Sequence, residues 1–349
     1  MHPSALNKAP VYSSETFNKL STGVDSIPVN FNFSFQLFDC KANSLFIFRC
    51  MKFLSFIILI SYIVCTGYFT FGQSDTSMEQ LRQQVITELS KQKGTFAVAF
   101  KDLTTGNELL INEHDTFHAA STMKTPVMIE VFKQAAERKF SLSDSLVIKN
   151  EFKSIVDGST YSLDSADDSE FELYKHIGEK RTIYDLVYDM IIASSNLATN
   201  MIIELVDAKK VTQTMHGLGA KNIQVLRGVE DDKAFEKGLN NTTTAYDLMV
   251  IFEKMAKGKT VSKMASKTMI KILLDQKFKD IIPADLPKEV KVAHKTGFIT
   301  GIHHDSGIVF LSDGRKYVLV LLSKNIEDEN AAVKSMAAVS KMIYQYVSR

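Results

Sequence analysis

Three short strings of residues could together perform acyl transfer to a serine. They are Ser121-Thr122-Met123-Lys124, Ser194-Ser195-Asn196 and Lys295-Thr296-Gly297, in this order along the chain. A serine hydroxyl is a poor nucleophile at its free pKa, and it needs a neighbouring base to take its proton during attack. Residues three apart lie on one face of a helix, so we expect Lys124 within hydrogen-bond reach of Ser121. The sequence therefore predicts a serine nucleophile activated by a lysine.

The residues after the first string predict the helix that positions this pair. Residues 125–138 carry apolar side chains at helical spacing, and Pro126 fits a first turn, where a missing N–H has no consequence. Ser121 would then lie at the positive end of the helix, where unpaired N–H groups can stabilise a developing oxyanion. Taken alone, the pair could be a helix cap beside a solvated lysine. The same spacing recurs at Ser90 and Lys93, in a polar amphipathic stretch where we expect no function.

In this order the three strings resemble the Ser-x-x-Lys, Ser-Asp-Asn and Lys-Thr-Gly strings of class A serine β-lactamases and penicillin-binding proteins. The resemblance runs from about Met78 to the C-terminus, and it includes residues 196–200 and a threonine-rich helix start at 241–245. It implies a hydrolase that opens the amide of a β-lactam through an acyl-enzyme on Ser121, with no metal or other cofactor. The implied partner is a small-molecule β-lactam or a cell-wall peptide.

The resemblance also implies a role for each chemical group. Ser121 is the nucleophile, and its own N–H together with that of Phe298 forms the oxyanion hole. Lys124 accepts a proton, directly or through water. Ser194 passes a proton to the leaving nitrogen, and Lys295 lowers the free energy of that transfer. Together these groups would carry out acylation.

Other positions are implied to bind substrate. Asn196 would hold the amide of the substrate's side chain, and Lys295 and Thr296 would pair with its carboxylate in a charge-assisted contact. Gly297 would let the backbone approach the ligand closely, because glycine has no side chain. Ser195 stands where the family usually has aspartate, which removes a charge that would support the loop but no atom that does chemistry.

Deacylation is the step for which the sequence leaves two candidates. Class A members use a loop glutamate to activate water. Glu230, three residues after Arg227, lies near the start of the corresponding loop. The string Glu236-Lys237-Gly238-Leu239-Asn240 matches the family's Glu-x-x-Leu-Asn pattern, but it runs straight into Asn241-Thr242 without the usual intervening residues. We favour Glu230 as the base, and we expect Asn240 to contact the substrate.

Two other functions are compatible with the strings. If neither glutamate reaches the water, the acyl-enzyme persists and the protein acts as a penicillin-binding protein or a D,D-peptidase-like hydrolase. A non-catalytic binding protein on the same fold is the third interpretation, because a fold alone specifies no chemistry. The intact set of Ser121, Lys124, Ser194 and Lys295 argues against it.

Helical patterns in the middle of the chain separate strand patterns near its two ends. The predicted elements are helices at 75–92, 125–138, 183–192, 197–206, 245–256, 261–274 and 328–347, and strands at 95–103, 108–112, 290–294, 305–311 and 316–323. This order predicts an α+β fold: an antiparallel sheet built from the N- and C-terminal segments, flanked by helices, with an inserted all-α lobe. The catalytic domain, 73–349, would divide into an α/β lobe (73–118 and 288–349) and an all-α lobe (119–287), with the site between them.

An export signal is predicted ahead of this domain. Met51-Lys52 precedes the short apolar run Phe53–Cys65, and small residues follow, a pattern typical of a signal peptide over 51–72. A retained anchor helix and a lipid-modified Cys65 are the alternatives, but the run is short for a membrane span and no small residue directly precedes Cys65. We expect a periplasmic or secreted bacterial protein that does not stay in the membrane after cleavage. Residues 1–50 are interpreted as a non-native or disordered extension.

Length and composition fit this interpretation. With 349 residues and 45% hydrophobic content, the chain can bury one large core or two modest ones. A formal net charge of +1 leaves no basic surplus for nucleic acid, and no helix-turn-helix or zinc-finger spacing occurs. All three cysteines lie at or before Cys65, so the exported domain would contain no disulfide. We expect a monomer that binds no nucleic acid.

Two further features have more than one interpretation. His294, His303 and His304 lie near the third string, but adjacent histidines on a strand point to opposite faces, so we expect no metal site. His303 could instead lie near the substrate carboxylate and add pH dependence. The acidic segment Asp164–Glu172 is either a solvated surface or a rim of the cleft that screens substrates.

Overall fold

The structure, a computed structural model, describes residues 72–349, with side chains from Ser77 onwards. The predicted extension (1–50) and, except for Gly72, the predicted signal peptide (51–72) lie outside the described residues. The described helices are α1 (Gly72–Leu89), α2 (Lys124–Ala136), α3 (Ile183–Ile192), α4 (Asn196–Val206), α5 (Ala208–Gly217), α6 (Asp232–Glu236), α7 (Ala245–Ala256), α8 (Lys263–Leu274) and α9 (Glu329–Val347). None of these helices has the length and apolar character that a membrane span requires.

Strands lie mainly at the two ends of the described chain. They are β1 (Thr95–Asp102), β2 (Glu108–Ile111), β3 (Phe117–His118), β4 (Ser145–Val147), β5 (Phe152–Lys153), β6 (Thr160–Tyr161), β7 (Lys180–Thr182), β8 (Thr242–Thr243), β9 (Lys291–Ile299), β10 (Ile302–Phe310) and β11 (Lys316–Lys324). Short 3₁₀ turns occupy Ala120–Met123 and Glu172–His176.

One antiparallel sheet of five strands joins the two ends of the described chain, in the order β2-β1-β11-β10-β9. β1 pairs with β11 from Thr95 opposite Lys324 to Asp102 opposite Tyr317. The N- and C-terminal segments thus form a single sheet around an inserted segment that is mainly helical. This segment, 119–287, was predicted to be all-α, but it also contains the short strands β4 to β8. The predicted α+β fold class is confirmed.

Side-chain alternation along β1 divides the core between the two faces of this sheet. Phe96, Val98 and Phe100 pack in one core with α1 and α9. Ala97 and Ala99 face the other way, into a core that they share with α7 and the helices of the inserted segment. Because both faces are covered by helices, the central strands are nearly continuous apolar runs.

The connection between α3 and α4 presents the second string to the sheet. Ser195 is the N-cap of α4, and its Oγ accepts a hydrogen bond from the N–H of Ala198 at 3.2 Å. Ser194, directly before the cap, has a φ of 59°. The sharp turn therefore directs Ser194 out of both helices and toward β9, where Lys295 contacts it.

Two strand boundaries differ from the sequence prediction. β9, predicted to end at His294, continues to Ile299, and β10 begins at Ile302 instead of Asp305. The third string therefore lies inside a strand, since β9 and β10 pair as far as a tight turn at Gly301, which has a φ of 73°. Glycine suits a turn with positive φ because it has no Cβ.

Candidate active site

Ser121 lies in the 3₁₀ turn that leads into α2. The residue before it, Ala120, has a φ of 43°, in the left-handed region that residues other than glycine seldom adopt. Ser194 and Glu230, each with a φ of 59°, share this property. All three border the same cleft, and backbone strain of this kind concentrates at functional sites, where the surrounding structure holds it in place.

Ser121 and Lys124 do not make the contact that their spacing predicts. Ser121 is partly exposed at the cleft, whereas Lys124 is fully buried. Within residues 72–349, no hydrogen bond joins Ser121 Oγ to Lys124 Nζ. Lys124 Nζ lies instead 2.6 Å from the Ser194 carbonyl oxygen, 3.1 Å from Ser194 Oγ and 2.9 Å from Asn196 Oδ1. An ammonium has three donors, and the second string provides partners for all of them.

Ser194 Oγ lies between two buried lysines. It is 3.1 Å from Lys124 Nζ and 3.1 Å from Lys295 Nζ, and both lysine side chains are inaccessible to solvent. Lys295 Nζ also donates to the carbonyl oxygen of Thr296 at 2.8 Å. A hydroxyl can donate one proton while it accepts another, so Ser194 can relay a proton between the lysines and a substrate.

Burial lowers the pKa of both lysines. The pKa of Lys124 falls to about 7, because desolvation outweighs the opposing charges of Asp168 and Glu230. Burial, followed by repulsion from Lys124, holds the pKa of Lys295 well below its usual range against the pull of Asp305. A neutral Lys124 is therefore available as a general base near neutral pH.

Asn196 joins Lys124 to Glu230. Its Oδ1 accepts from Lys124, and its Nδ2 donates to Glu230 Oε1 at 2.7 Å. Glu230 is partly buried, and burial raises the pKa of its carboxyl against the lowering effect of the Asn196 hydrogen bond. Glu236 is exposed and borders neither of the two cavities at Ser121. Of the two candidate glutamates, the structure brings only Glu230 into the cleft.

Asn200 of α4 holds the loop that carries Glu230. Its Oδ1 accepts from the N–H of Val229 at 2.6 Å, and its Nδ2 donates to the Val229 carbonyl oxygen at 3.0 Å. A Cβ at Gly228 would overlap the Asn200 side-chain amide, so this close approach requires glycine. The amide therefore fixes the backbone directly before Glu230.

Arg227 ties together the two ends of the same loop. Its guanidinium donates to the Leu239 carbonyl oxygen at 2.9 Å and to Asn240 Oδ1 at 3.1 Å. Asn240, which we expected to contact substrate, borders neither cavity at Ser121. The structure does not bring Asn240 together with the other predicted site residues, because the arginine engages its side chain.

Two backbone N–H groups are available beside the nucleophile. The Ser121 N–H donates to no acceptor within the described residues. His303 directs its N–H to Ser323 Oγ on the β11 side at 3.0 Å. Backbone groups of an antiparallel strand alternate sides, so Phe298, the partner of His303, directs its N–H off the open edge of β9. Phe298 and Ser121 border the same cavities, which suits an oxyanion hole.

Two cavities meet at Ser121. One, of about 560 Å³, also contacts Ser194, Thr296 and His303. The other, of about 480 Å³, contacts Glu230. Asn196 and Phe298 border both cavities. Ser194 and Thr296 thus border only the first cavity, and the candidate deacylation base Glu230 borders only the second.

The histidines and the acidic segment are also placed by the structure. His303 borders the cleft, with its ring 4.8 Å from that of Phe298 and its Nε2 3.3 Å from Glu329 Oε2. His294 is buried, and its Nδ1 lies 2.8 Å from an oxygen of Asp305. Asp167 and Ser169 border the cleft, so the segment Asp164–Glu172 forms part of its rim.

Sequence reasoning did not single out Asp168 or Asn200, although both touch the site. Asp168 is one of several acids in its segment, and no spacing distinguishes the one that is buried. Asn200 falls within the run 196–200 that carries the resemblance to known hydrolases, and that resemblance was the available signal. The remaining predicted residues converge on the cleft, namely Ser121, Lys124, Ser194, Asn196, Glu230, Lys295, Thr296, Gly297 and Phe298.

Comparison with known proteins agrees with this geometry. The sequence model of the Beta-lactamase enzyme family matches residues 79–347. The chain belongs to this family. It is 25% identical over 310 residues to a beta-lactamase from Bacteroides uniformis, across 83% of this chain and 97% of that protein.

Solved structures of a beta-lactamase and of PBP-A share the fold of this chain. The chain is similar to a mutant of PBP-A solved as an acyl-enzyme complex with penicillin-G, with 27% identity, a TM-score of 0.66, and coverage of 77% of this chain and 97% of that one. A beta-lactamase from Chitinophaga pinensis is 22% identical with a TM-score of 0.67, across 77% of this chain and 99% of that one, and this likeness concerns the fold alone. The chain is therefore a β-lactamase-like serine hydrolase by family and fold.

Proposed function

We propose that this protein is a serine β-lactamase of class A type, which hydrolyses the β-lactam amide through an acyl-enzyme on Ser121. The observation that carries the proposal is the position of Ser194 Oγ, which lies 3.1 Å from each of two buried lysines and borders the same cavity as the partly exposed Ser121. This arrangement supplies a base and a proton donor in one place. The likeness to a PBP-A mutant captured with penicillin-G supports a β-lactam as the acylating substrate.

Acylation follows from the groups around Ser121. Neutral Lys124 takes the Ser121 hydroxyl proton, directly or through water, as Oγ bonds to the lactam carbonyl carbon. The N–H groups of Ser121 and Phe298 stabilise the oxyanion. When the C–N bond breaks, the leaving nitrogen takes the Ser194 hydroxyl proton, and Ser194 regains one from the Lys124 ammonium. The serine proton thus ends on the nitrogen, and Lys124 is neutral again.

Deacylation is assigned to Glu230. Its carboxylate takes a proton from water as the water oxygen attacks the ester carbonyl, and the proton then returns to Ser121 Oγ as the C–O bond breaks. Burial raises the pKa of Glu230, which strengthens the carboxylate as a base while it remains ionised. Lys295 and Thr296 are assigned to the substrate carboxylate, and Asn196 to its side-chain amide, once the contact between Asn196 and Glu230 adjusts.

The test is the burst and steady state of a chromogenic cephalosporin with the purified protein, followed by intact mass. Sustained turnover well above one equivalent supports the β-lactamase. Ser121→Ala should abolish turnover and covalent labelling together. Glu230→Gln should retain the burst and accumulate the adduct, whereas the matched change Glu236→Gln, at an exposed glutamate outside the cleft, should leave both phases unchanged.

A penicillin-binding protein or D,D-peptidase-like hydrolase with slow deacylation is the second candidate. The contact between Asn196 Nδ2 and Glu230 Oε1 favours it, because it occupies a carboxylate oxygen that would otherwise accept a proton from the deacylating water. A burst of a single equivalent with a stable adduct on Ser121 would select this candidate. If neither a burst nor an adduct is observed, a non-catalytic binding protein is the remaining interpretation.

Export is part of the proposal. The apolar run Phe53–Cys65 behind Met51-Lys52 supports a cleaved signal peptide, which would deliver the enzyme to the compartment where β-lactams meet cell-wall enzymes. N-terminal sequencing of the protein from the periplasmic or secreted fraction should find a start close to Gln73. A start at Met1 or Met51 in the membrane fraction would contradict export with cleavage.

A further inference from the structure

Asp168 differs from the other aspartates of the acidic segment Asp164–Glu172. It is 7% exposed, whereas Asp164 and Asp167 are exposed to solvent. Burial of a carboxylate is unfavourable unless hydrogen bonds compensate for the lost water. The partners of Asp168 therefore show what its burial stabilises.

The Asp168 carboxylate binds the start of α4. Its Oδ2 accepts from the N–H groups of Asn196 at 2.8 Å and Leu197 at 2.9 Å, and from the Tyr174 hydroxyl at 2.9 Å. Its Oδ1 accepts from the N–H of Glu170 at 3.0 Å. Both carboxylate oxygens are thus engaged, one of them by the helix.

A helix start needs acceptors for its first N–H groups and favours negative charge. The N-cap Ser195 satisfies only the third N–H, that of Ala198, and it brings no charge. Asp168 satisfies the first two. Position 195, where the family usually has aspartate, holds a serine. Asp168 therefore supplies a carboxylate to the same helix start from a distant segment of the chain.

Asn196 connects this helix start to the catalytic bases. Its backbone N–H is bound by Asp168, while its side chain contacts Lys124 and Glu230. The negative charge of Asp168 also raises the pKa of Lys124 and that of Glu230. The charged groups that act on Lys124 are Asp168, Glu230 and Lys295. Those that act on Glu230 are Asp168, Asp167 and Lys124.

We propose that Asp168 is a positioning residue of the acylation site, whose carboxylate fixes the Ser194–Asn196 turn by binding the first two N–H groups of α4. The proposal rests on the proposed function, in which neutral Lys124 is the base for acylation. Removal of the Asp168 charge disfavours the ammonium, so Lys124 loses its proton at a lower pH.

The test compares Asp168→Asn with Asp164→Asn, a change at an exposed aspartate of the same segment that borders neither cavity at Ser121. Single-turnover acylation by a fluorescent penicillin is followed across neutral pH in each full-length variant. We expect the acidic limb of Asp168→Asn to move about 0.5–1 pH unit to lower pH, as for a nearby charge removed from a buried site. Asp164→Asn should keep the wild-type limb. A folded Asp168→Asn whose limb coincides with the wild type would overturn the proposal.

Hydrogen exchange provides a readout that does not depend on activity. Asp168→Ala removes the acceptor for both amides, so the amides of Asn196 and Leu197 should exchange at least tenfold faster than in Asp164→Asn. Unchanged protection of these two amides would contradict the positioning role. A residue that only stabilised the fold would lower the melting temperature without shifting the acylation limb.

If the wild-type protein is not acylated at any pH, the proposed function fails while the role of Asp168 can still be decided. NMR titration of lysine-labelled protein, with the Lys124 signal assigned by its loss in Lys124→Met, gives the midpoint of Lys124 directly. A lower midpoint in Asp168→Asn supports the proposal. Equal midpoints overturn it.

Discussion

Replacement of Gly297 by alanine tests whether β9 and the Ser121 turn form an oxyanion hole. An added Cβ at this position would lie 3.2 Å from the backbone N of Ser121, from the backbone N of Thr122 and from Thr122 Cγ2. All three contacts are closer than ordinary van der Waals distance, and two of them are with backbone atoms. The strand and the turn must therefore separate by a few tenths of an ångström.

That displacement is enough to impair the oxyanion donors. Donors act at about 2.7–3.1 Å from the oxyanion, and loss of one donor lowers the rate by about 10²–10³-fold. Because Gly297→Ala moves the donors rather than deleting one, we expect the lower end of this range, about a 10²-fold slower acylation. Overpacking should lower the free energy of unfolding by only about 1–3 kcal/mol.

The assay is stopped-flow acylation by a fluorescent penicillin, with thermal unfolding measured on the same samples. Gly217→Ala is the matched control, since a Cβ at Gly217 meets nothing within 4 Å and its backbone φ is not positive. The control should acylate at the wild-type rate. A folded Gly297→Ala that acylates within about threefold of the wild-type rate would refute the inferred geometry, because an intact oxyanion hole tolerates no displacement of its donors.

Two further predictions concern titration and stability. The acylation rate should rise with pH through about 7, where buried Lys124 loses its proton, and a pH–rate profile without an acidic limb near this value would remove Lys124 as the base. Tyr317→Phe should raise the free energy of unfolding by about 1 kcal/mol, because the fully buried Tyr317 hydroxyl has no hydrogen-bond partner among the described residues. The measurement is denaturant unfolding. A decrease of similar size in the free energy of unfolding would indicate that the hydroxyl is hydrogen-bonded.

Much of the fold follows from local sequence patterns. Apolar periodicity predicts α3, α4 and α7 with nearly the bounds that the structure has, because each presents an apolar face to the core. The predicted end of β9 and the predicted start of β10 were wrong. The string Lys295-Thr296-Gly297 has polar side chains and a glycine, which is not the pattern of a buried strand. Hairpin pairing with β10, from Ile302 opposite Ile299 to Ser306 opposite Lys295, extends the strand through these residues.

The site was predictable where short strings carry it and unpredictable where tertiary contacts decide. Ser194 and Lys295 converge as expected, and the structure selects Glu230 over Glu236 by placing only one in the cleft. The contact expected between Ser121 and Lys124 is not formed, because Lys124 Nζ binds the Ser194 carbonyl oxygen and Asn196 Oδ1 instead. Spacing within one helix cannot predict such partners from a distant part of the chain. Asp168 lay beyond sequence reasoning because its partners at the start of α4, Asn196 and Leu197, lie 28 and 29 residues further along the chain.

The two candidate bases share Asn196 as a hydrogen-bond partner and affect each other's pKa, so the titration of each depends on the protonation state of the other. An ionised Glu230 favours the ammonium of Lys124, and a neutral Lys124 favours the protonated form of Glu230. In the proposed mechanism acylation uses neutral Lys124 and deacylation uses ionised Glu230. Each step therefore needs its base in the form that is disfavoured when the other base is in its own active form. A fall in pH therefore slows both steps, and the acidic limb of overall turnover belongs to the pair rather than to either residue.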